Sequence, residues 1–168
     1  SLDININSET GQIESNRRNG VANTHILAHG DHLVALEEGS HPFSMDPQTL
    51  VSEGYGHYAD GIKGAMTAHP KIDPTTGELH GFGYMTDHFG SNTMTYHVID
   101  RDGRMLRSDV FEAPYAAMVH DFMITRDYVI FPLFPLTCDL DRVAQFGFPF
   151  AFDRSAGAYI GVLKRGAP

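Results

Sequence analysis

The chain has 168 residues, 42% hydrophobic and 11% aromatic, enough for one domain with a core and too apolar for a disordered chain. Twenty-one acidic against 12 basic residues give a formal charge of −9, and only Asn16-Arg17-Arg18-Asn19 is locally basic, which excludes a nucleic-acid partner that would need clustered Lys/Arg. The single cysteine, Cys138, excludes an internal disulfide and a CxxC metal site.

The polar start Ser1-Leu2-Asp3-Ile4-Asn5-Ile6-Asn7 is no signal peptide, and no run of about 18 apolar residues could cross a membrane as a helix. With no initiator methionine, the expectation is a processed or trimmed product. One cysteine fits a reducing compartment, so the expected location is cytoplasmic, with peripheral contact to a membrane left open.

Turn residues recur at even intervals with almost no helical periodicity, the pattern of an all-β protein. The first hairpin is predicted from Thr24-His25-Ile26-Leu27-Ala28-His29, a Gly30-Asp31 turn, and Leu33-Val34-Ala35-Leu36-Glu37-Glu38. A short strand in Pro42-Phe43-Ser44-Met45 ends at an Asp46-Pro47 turn, where proline fixes φ and the aspartate caps the bend. The same device returns at Asp73-Pro74-Thr75-Thr76-Gly77, at Asp100-Arg101-Asp102-Gly103, and more loosely at Thr125-Arg126-Asp127 and Asp153-Arg154-Ser155-Ala156-Gly157. A two-strand unit of about 27 residues therefore repeats, and a four-stranded propeller blade would need about twice that. A β-sandwich with long loops is the rival architecture on pattern alone. The run Tyr128-Val129-Ile130-Phe131-Pro132-Leu133-Phe134-Pro135-Leu136 reads as a strand buried on both faces, or as a source of tunnel-lining residues at Phe131 and Phe134.

Ten histidines are the unusual feature of the composition. Imidazole is the commonest neutral metal ligand, but no HxH, HExxH or HxxE pairing occurs among them. His25, His29 and His32 flank a turn and are expected to be exposed; His41, His57, His80, His88 and His97 sit in polar or turn contexts.

His69 and His120 differ in their surroundings. The stretches Thr67-Ala68-His69-Pro70-Lys71-Ile72-Asp73-Pro74-Thr75-Thr76-Gly77-Glu78 with Phe82-Gly83-Tyr84, and Glu112-Ala113-Pro114-Tyr115 with Met118-Val119-His120-Asp121-Phe122-Met123-Ile124-Thr125, resemble the carotenoid cleavage dioxygenase family, including its lignostilbene dioxygenase branch. The likeness extends to Val21-Ala22-Asn23-Thr24, to Ala35-Leu36-Glu37-Glu38-Gly39, to Met45-Asp46-Pro47-Gln48-Thr49-Leu50 and to Ile160-Gly161-Val162-Leu163-Lys164-Arg165-Gly166. Residues 1–20 lie outside it, and 21–168 are expected to form a partial propeller domain.

The resemblance implies about two to three blades of a seven-bladed β-propeller carrying a non-haem Fe(II) on four histidines, of which His69 and His120 match the first two. It also implies a carboxylate behind the second ligand, at Glu38, where it would orient the ring and raise its basicity. The implied reaction is cleavage of a conjugated C=C bond of an apolar polyene by O2 to two carbonyl products. The stilbene-cleaving branch engages a phenol oxygen with a lysine where this chain has Glu37, which favours a carotenoid or apocarotenoid over a stilbenoid. No histidine follows His120, so the remaining ligands must come from the rest of the propeller, and the chain alone should be inactive. Two rivals are a catalytically silent propeller fragment or binding module, and a two-histidine, one-carboxylate centre using Asp121.

Overall fold

The computed structural model describes residues 4–6, 13–15, 20–55, 58 and 61–166. β1 (Ile4–Ile6) and β2 (Ile13–Ser15) form a small antiparallel pair ahead of the main body.

β3 (His25–His29), β4 (His32–Leu36), β5 (Phe43–Met45) and β6 (Ser52–Gly54) make the first four-stranded meander, in chain order. Gly30 at φ 58° takes the positive-φ place in the two-residue turn that pairs His29 with His32, as the hairpin expectation required. β7 (Lys71–Ile72), β8 (Leu79–Tyr84), β9 (Thr93–Ile99) and β10 (Met105–Glu112) repeat the meander. In the third sheet, β11 (Met123–Ile124) pairs with β12 (Tyr128–Leu133), and β12 pairs with β15 (Tyr159–Lys164). Between β12 and β15 the chain inserts a hairpin, β13 (Leu136–Cys138) and β14 (Phe150–Phe152), around the short helix α1 (Asp141–Phe146).

The turns use the chemistry read from the sequence. Asp46 Oδ1 accepts from the backbone N–H of Gln48 and Thr49, Asp73 from Thr75, Asp100 from Asp102 and Arg104, and Asp153 from Ser155; at the looser turn Thr125 Oγ1 accepts from Tyr128. Such donors favour the charged carboxylate, and all four aspartates are held below the usual range; for Asp73 the Arg165 side chain contributes most and takes it to about 2. The blade repeat emerges between equivalent turns: Asp46 and Asp100 close two sheets 54 positions apart, and Asp73 and Thr125 open two sheets 52 apart. The Asp153 turn keeps the spacing, 53 positions after Asp100, but not the place: with the hairpin inserted, it precedes the third strand of its sheet, β15, instead of following it.

Two cores lie among three successive sheets, where a sandwich has one core between two. Alternation sorts β8 and β9 by face. Leu79 and Ile99 join Val34 and Leu36 of β4, with Tyr58, Ile62 and Met66 of the connection, between the first and second sheets. Phe82, Met94, Tyr96 and Val98 point the other way and meet Phe122, Val129, Phe131 and Leu133 between the second and third. The second sheet is thus covered on both faces, while β12 shows Val129, Phe131 and Leu133 buried on one face only, unlike the expected two-sided burial. This all-β stack is a portion, about two to three blades, of a β-propeller. Among the described residues no helix is long and apolar enough to cross a membrane.

Candidate metal centre

His69 stands two residues ahead of β7 and His120 three ahead of β11, so each enters at the start of the first strand of its sheet. They are 51 positions apart, close to one blade repeat, and the meander brings both to one place. Their Nε2 atoms lie 3.1 Å apart, with ring centroids 4.7 Å apart and planes at 72°. The Thr67 hydroxyl accepts the His69 backbone N–H at 3.0 Å and fixes the bend that presents the ring.

Glu38, just after β4 in the first sheet, reaches His120: Nδ1–H of His120 donates to Glu38 Oε2 at 2.7 Å. A ring nitrogen facing a carboxylate must carry the proton, so the Nε2 of His120 presents its lone pair toward His69. Two imidazole nitrogens 3.1 Å apart can both bind one cation at metal–nitrogen distances of about 2.1 Å, so this pair fits a shared ion. Among the described residues no group of three or more His, Cys, Asp or Glu could hold a metal, so these two histidines are a partial donor set.

Asp121, the carboxylate of the rival triad, is turned elsewhere. Its Oδ1 accepts from Lys71 Nζ at 2.8 Å and from the Phe122 backbone N–H at 2.8 Å. Of the two residues expected at a tunnel wall, Phe131 is buried in the core against Phe82, Phe111 and Phe122, and it also borders a groove of about 270 Å³ between β10 and β15. Phe134 lies past the end of β12 and is 60% exposed.

The remaining histidines divide by environment. His25 is exposed as expected, but its ring stacks on His69 at 6.2 Å and its Nδ1–H donates to the Ala68 carbonyl at 2.9 Å. His29 was expected to be exposed and is buried instead, with Nδ1 2.6 Å from the Tyr58 hydroxyl, and burial pushes its pKa down. His32 meets Glu53 at 2.6 Å. His80 and His97 are buried in the second sheet, and burial lowers both to about 4. Arg165 can only donate to His80 Nε2, so His80 is neutral and its Nδ1–H donates to the Tyr96 hydroxyl at 2.6 Å. His57 lies outside the described residues.

Sequence reasoning passed over His25, Lys71 and Tyr84. Lys71 and Tyr84 stand in stretches that carry the family likeness without a role assigned to them, and strand parity places Tyr84 on one face of β8 with Phe82 and His80, two and four positions before it.

Successive antiparallel sheets, the second and third of which each deliver a histidine from the entrance of the first strand, define a β-propeller with a donor set gathered across its blades. The chain belongs to the family described as retinal pigment epithelial membrane protein, RPE65, the carotenoid oxygenases, whose model matches residues 4–168. It is 41% identical over 145 residues to carotenoid cleavage oxygenase 1 of Neurospora crassa, covering 86% of this chain and 28% of that protein. It is 38% identical over 146 residues to isoeugenol monooxygenase of Pseudomonas nitroreducens, covering 86% and 30%. The crystal structure of lignostilbene dioxygenase from Pseudomonas brassicacearum superposes with a TM-score of 0.82 at 39% identity, covering 90% of this chain and 32% of that one. The chain therefore spans about 30% of the length of the relatives it matches.

Proposed function

We propose that the protein to which this chain belongs is a non-haem Fe(II) dioxygenase that cleaves a conjugated C=C bond of a carotenoid or apocarotenoid with O2 to give two carbonyl products. The observation that carries this reading is the convergence of His69 and His120 at 3.1 Å with Glu38 hydrogen-bonded behind His120. When bound, the iron would supply the means of activating O2. His69 and His120 would hold it as neutral imidazoles, and Glu38 would keep the proton of His120 on Nδ1 so that Nε2 stays free to coordinate. The polypeptide's share of the chemistry is to place one double bond beside that centre and keep the site apolar.

The remaining ligands come from the rest of the propeller in this reading, and the chain alone is inactive. The substrate preference rests on Glu37, which stands where a stilbene-cleaving site would have a lysine. A stilbenoid substrate is the second reading, favoured by the likeness to lignostilbene dioxygenase. A cytoplasmic location, with any membrane contact peripheral, belongs to the same proposal.

The test is metal content in the full-length protein. About one iron per chain is expected, lost on His69→Ala or His120→Ala and kept on Asp121→Asn. Full occupancy after both histidine substitutions would overturn the ligand assignment, and loss in Asp121→Asn would favour the triad. Carbonyl products from a polyene but not a stilbene would decide between the two substrate readings.

A further inference from the structure

Glu38 uses both of its oxygens. Oε2 takes the Nδ1–H of His120 at 2.7 Å, and Oε1 takes the hydroxyl of Tyr84 at 3.1 Å. The three residues come from three different sheets: Glu38 follows β4, Tyr84 ends β8 and His120 precedes β11. A carboxylate held at one oxygen can still rotate about its last torsion, because sp³–sp² torsions are broad. Held at both oxygens by donors on different blades, it has one orientation left.

We propose that Tyr84 is a positioning residue for the metal centre, acting through Glu38 to fix the tautomer and ring plane of His120. The inference rests on the ligand assignment made above for His120 and Glu38. Tyr84 is well built for this part. Its backbone is paired in the β8–β9 ladder opposite Met94, its ring packs against the core between the second and third sheets, and Met85 at φ 52° turns the chain immediately after it. The phenol is therefore delivered by a rigid strand end and not by a loop. The same strand follows His69 by one turn, because β7 leads from His69 through the Asp73 turn into β8. One hairpin thus carries the first histidine directly and steadies the second through Glu38, so the two nitrogens keep their separation only while neighbouring blades keep theirs.

The experiment uses the full-length protein and Co(II) as an oxidation-resistant probe, with affinity read by competition against a chromophoric chelator. Tyr84→Phe keeps the ring and its packing and removes only the hydroxyl. It is expected to weaken Co(II) binding about tenfold, the lower end of the effect of losing a partner behind a ligand, with unchanged thermal unfolding of the metal-free protein. In a Glu38→Gln background the same substitution should change affinity by less than about twofold, because residues acting as one unit are not additive. A Tyr84→Phe affinity equal to the parent's overturns the proposal, as does a tenfold loss that persists undiminished in the Glu38→Gln background. If Glu38→Gln itself leaves affinity unchanged, the ligand reading beneath it fails; if Glu38→Gln weakens binding and Tyr84→Phe does not, only the role of Tyr84 fails.

Discussion

Lys71 Nζ donates to Asp121 Oδ1 at 2.8 Å, which ties the residue two beyond His69 to the residue next to His120. The ion pair links the entrance of the second sheet to that of the third, and the ammonium also sits 5.6 Å from the centroid of the Phe122 ring. Its side chains are 32% and 52% exposed, so screening limits its worth to roughly 0–1 kcal/mol. Lys71→Met should therefore weaken metal binding by no more than about fivefold without altering stoichiometry, with the difference fading in high salt. Metal titrations at low and high ionic strength check this; lost stoichiometry would mean that the pair is part of the donor set.

The His25 contact predicts an effect on the ligand without an effect on the fold. His25 Nδ1–H caps the Ala68 carbonyl, one peptide before His69, and its ring lies against that of His69. A net hydrogen bond is worth about 0.5–1.5 kcal/mol, which is about two- to tenfold in a binding constant if it acts wholly on the orientation of His69. His25→Ala should lower metal affinity within that range while its exposed position leaves thermal stability nearly unchanged. A large drop in stability with intact affinity would assign His25 to the fold instead.

Much of the architecture is legible in the letters because the turns are local. Asp46, Asp73, Asp100 and Asp153 each bond to backbone two to four residues on, so a short window of sequence contains the whole interaction. The blade repeat follows from the spacing of those turns, but the inserted hairpin around α1 does not, since the Asp153 turn has the same chemistry wherever it falls. The fate of each histidine is not local at all. His29 is buried through Tyr58, 29 positions away; His25 bonds to Ala68, 43 away; and Glu38 meets Tyr84 and His120 at separations of 46 and 82. Only the likeness to a known family singled out His69, His120 and Glu38. Tyr84 stands within a stretch that carries that likeness but drew no role from it, and His25, which touches His69 from another strand, lies outside those stretches.

At Gly83 the strand bearing Tyr84 packs tightly against the connection that leads to His69. A Cβ built there would meet the Ala65 carbonyl oxygen at 2.1 Å and the Thr86 side chain at 2.7 Å. The first of these is backbone and cannot rotate away, so Gly83→Ala has to move β8 or the 61–70 segment. Overpacking of this kind costs about 1–3 kcal/mol. The variant should unfold at lower temperature and, unlike Lys71→Met, should lose metal affinity in parallel, because Tyr84 and His69 lie on the two sides of the clash. Calorimetry with chelator competition on the same preparation tests both; wild-type stability would mean that the backbone yields freely at this point.

Acid should begin to destabilise the fold through its buried histidines. His29, His80 and His97 have pKa values lowered by burial, His80 and His97 to about 4, while the unfolded chain binds these protons near the ordinary 6.5. The unfolded state therefore holds more protons in this window, and stability is complete above about pH 6.5, falls as pH drops toward 4, and levels off for these groups once the folded state also protonates. For His97, which is fully buried, the whole loss amounts to roughly 3 kcal/mol. His80 adds a specific obstacle: a proton on its Nε2 would face the Arg165 guanidinium, which now donates there at 3.1 Å and pairs with Asp73. Urea unfolding of the metal-free protein at pH 7 and pH 4.5 should show this decline, and His97→Gln should reduce its pH slope by about one proton. A slope equal to the parent's would mean that His97 already carries its proton in the folded protein.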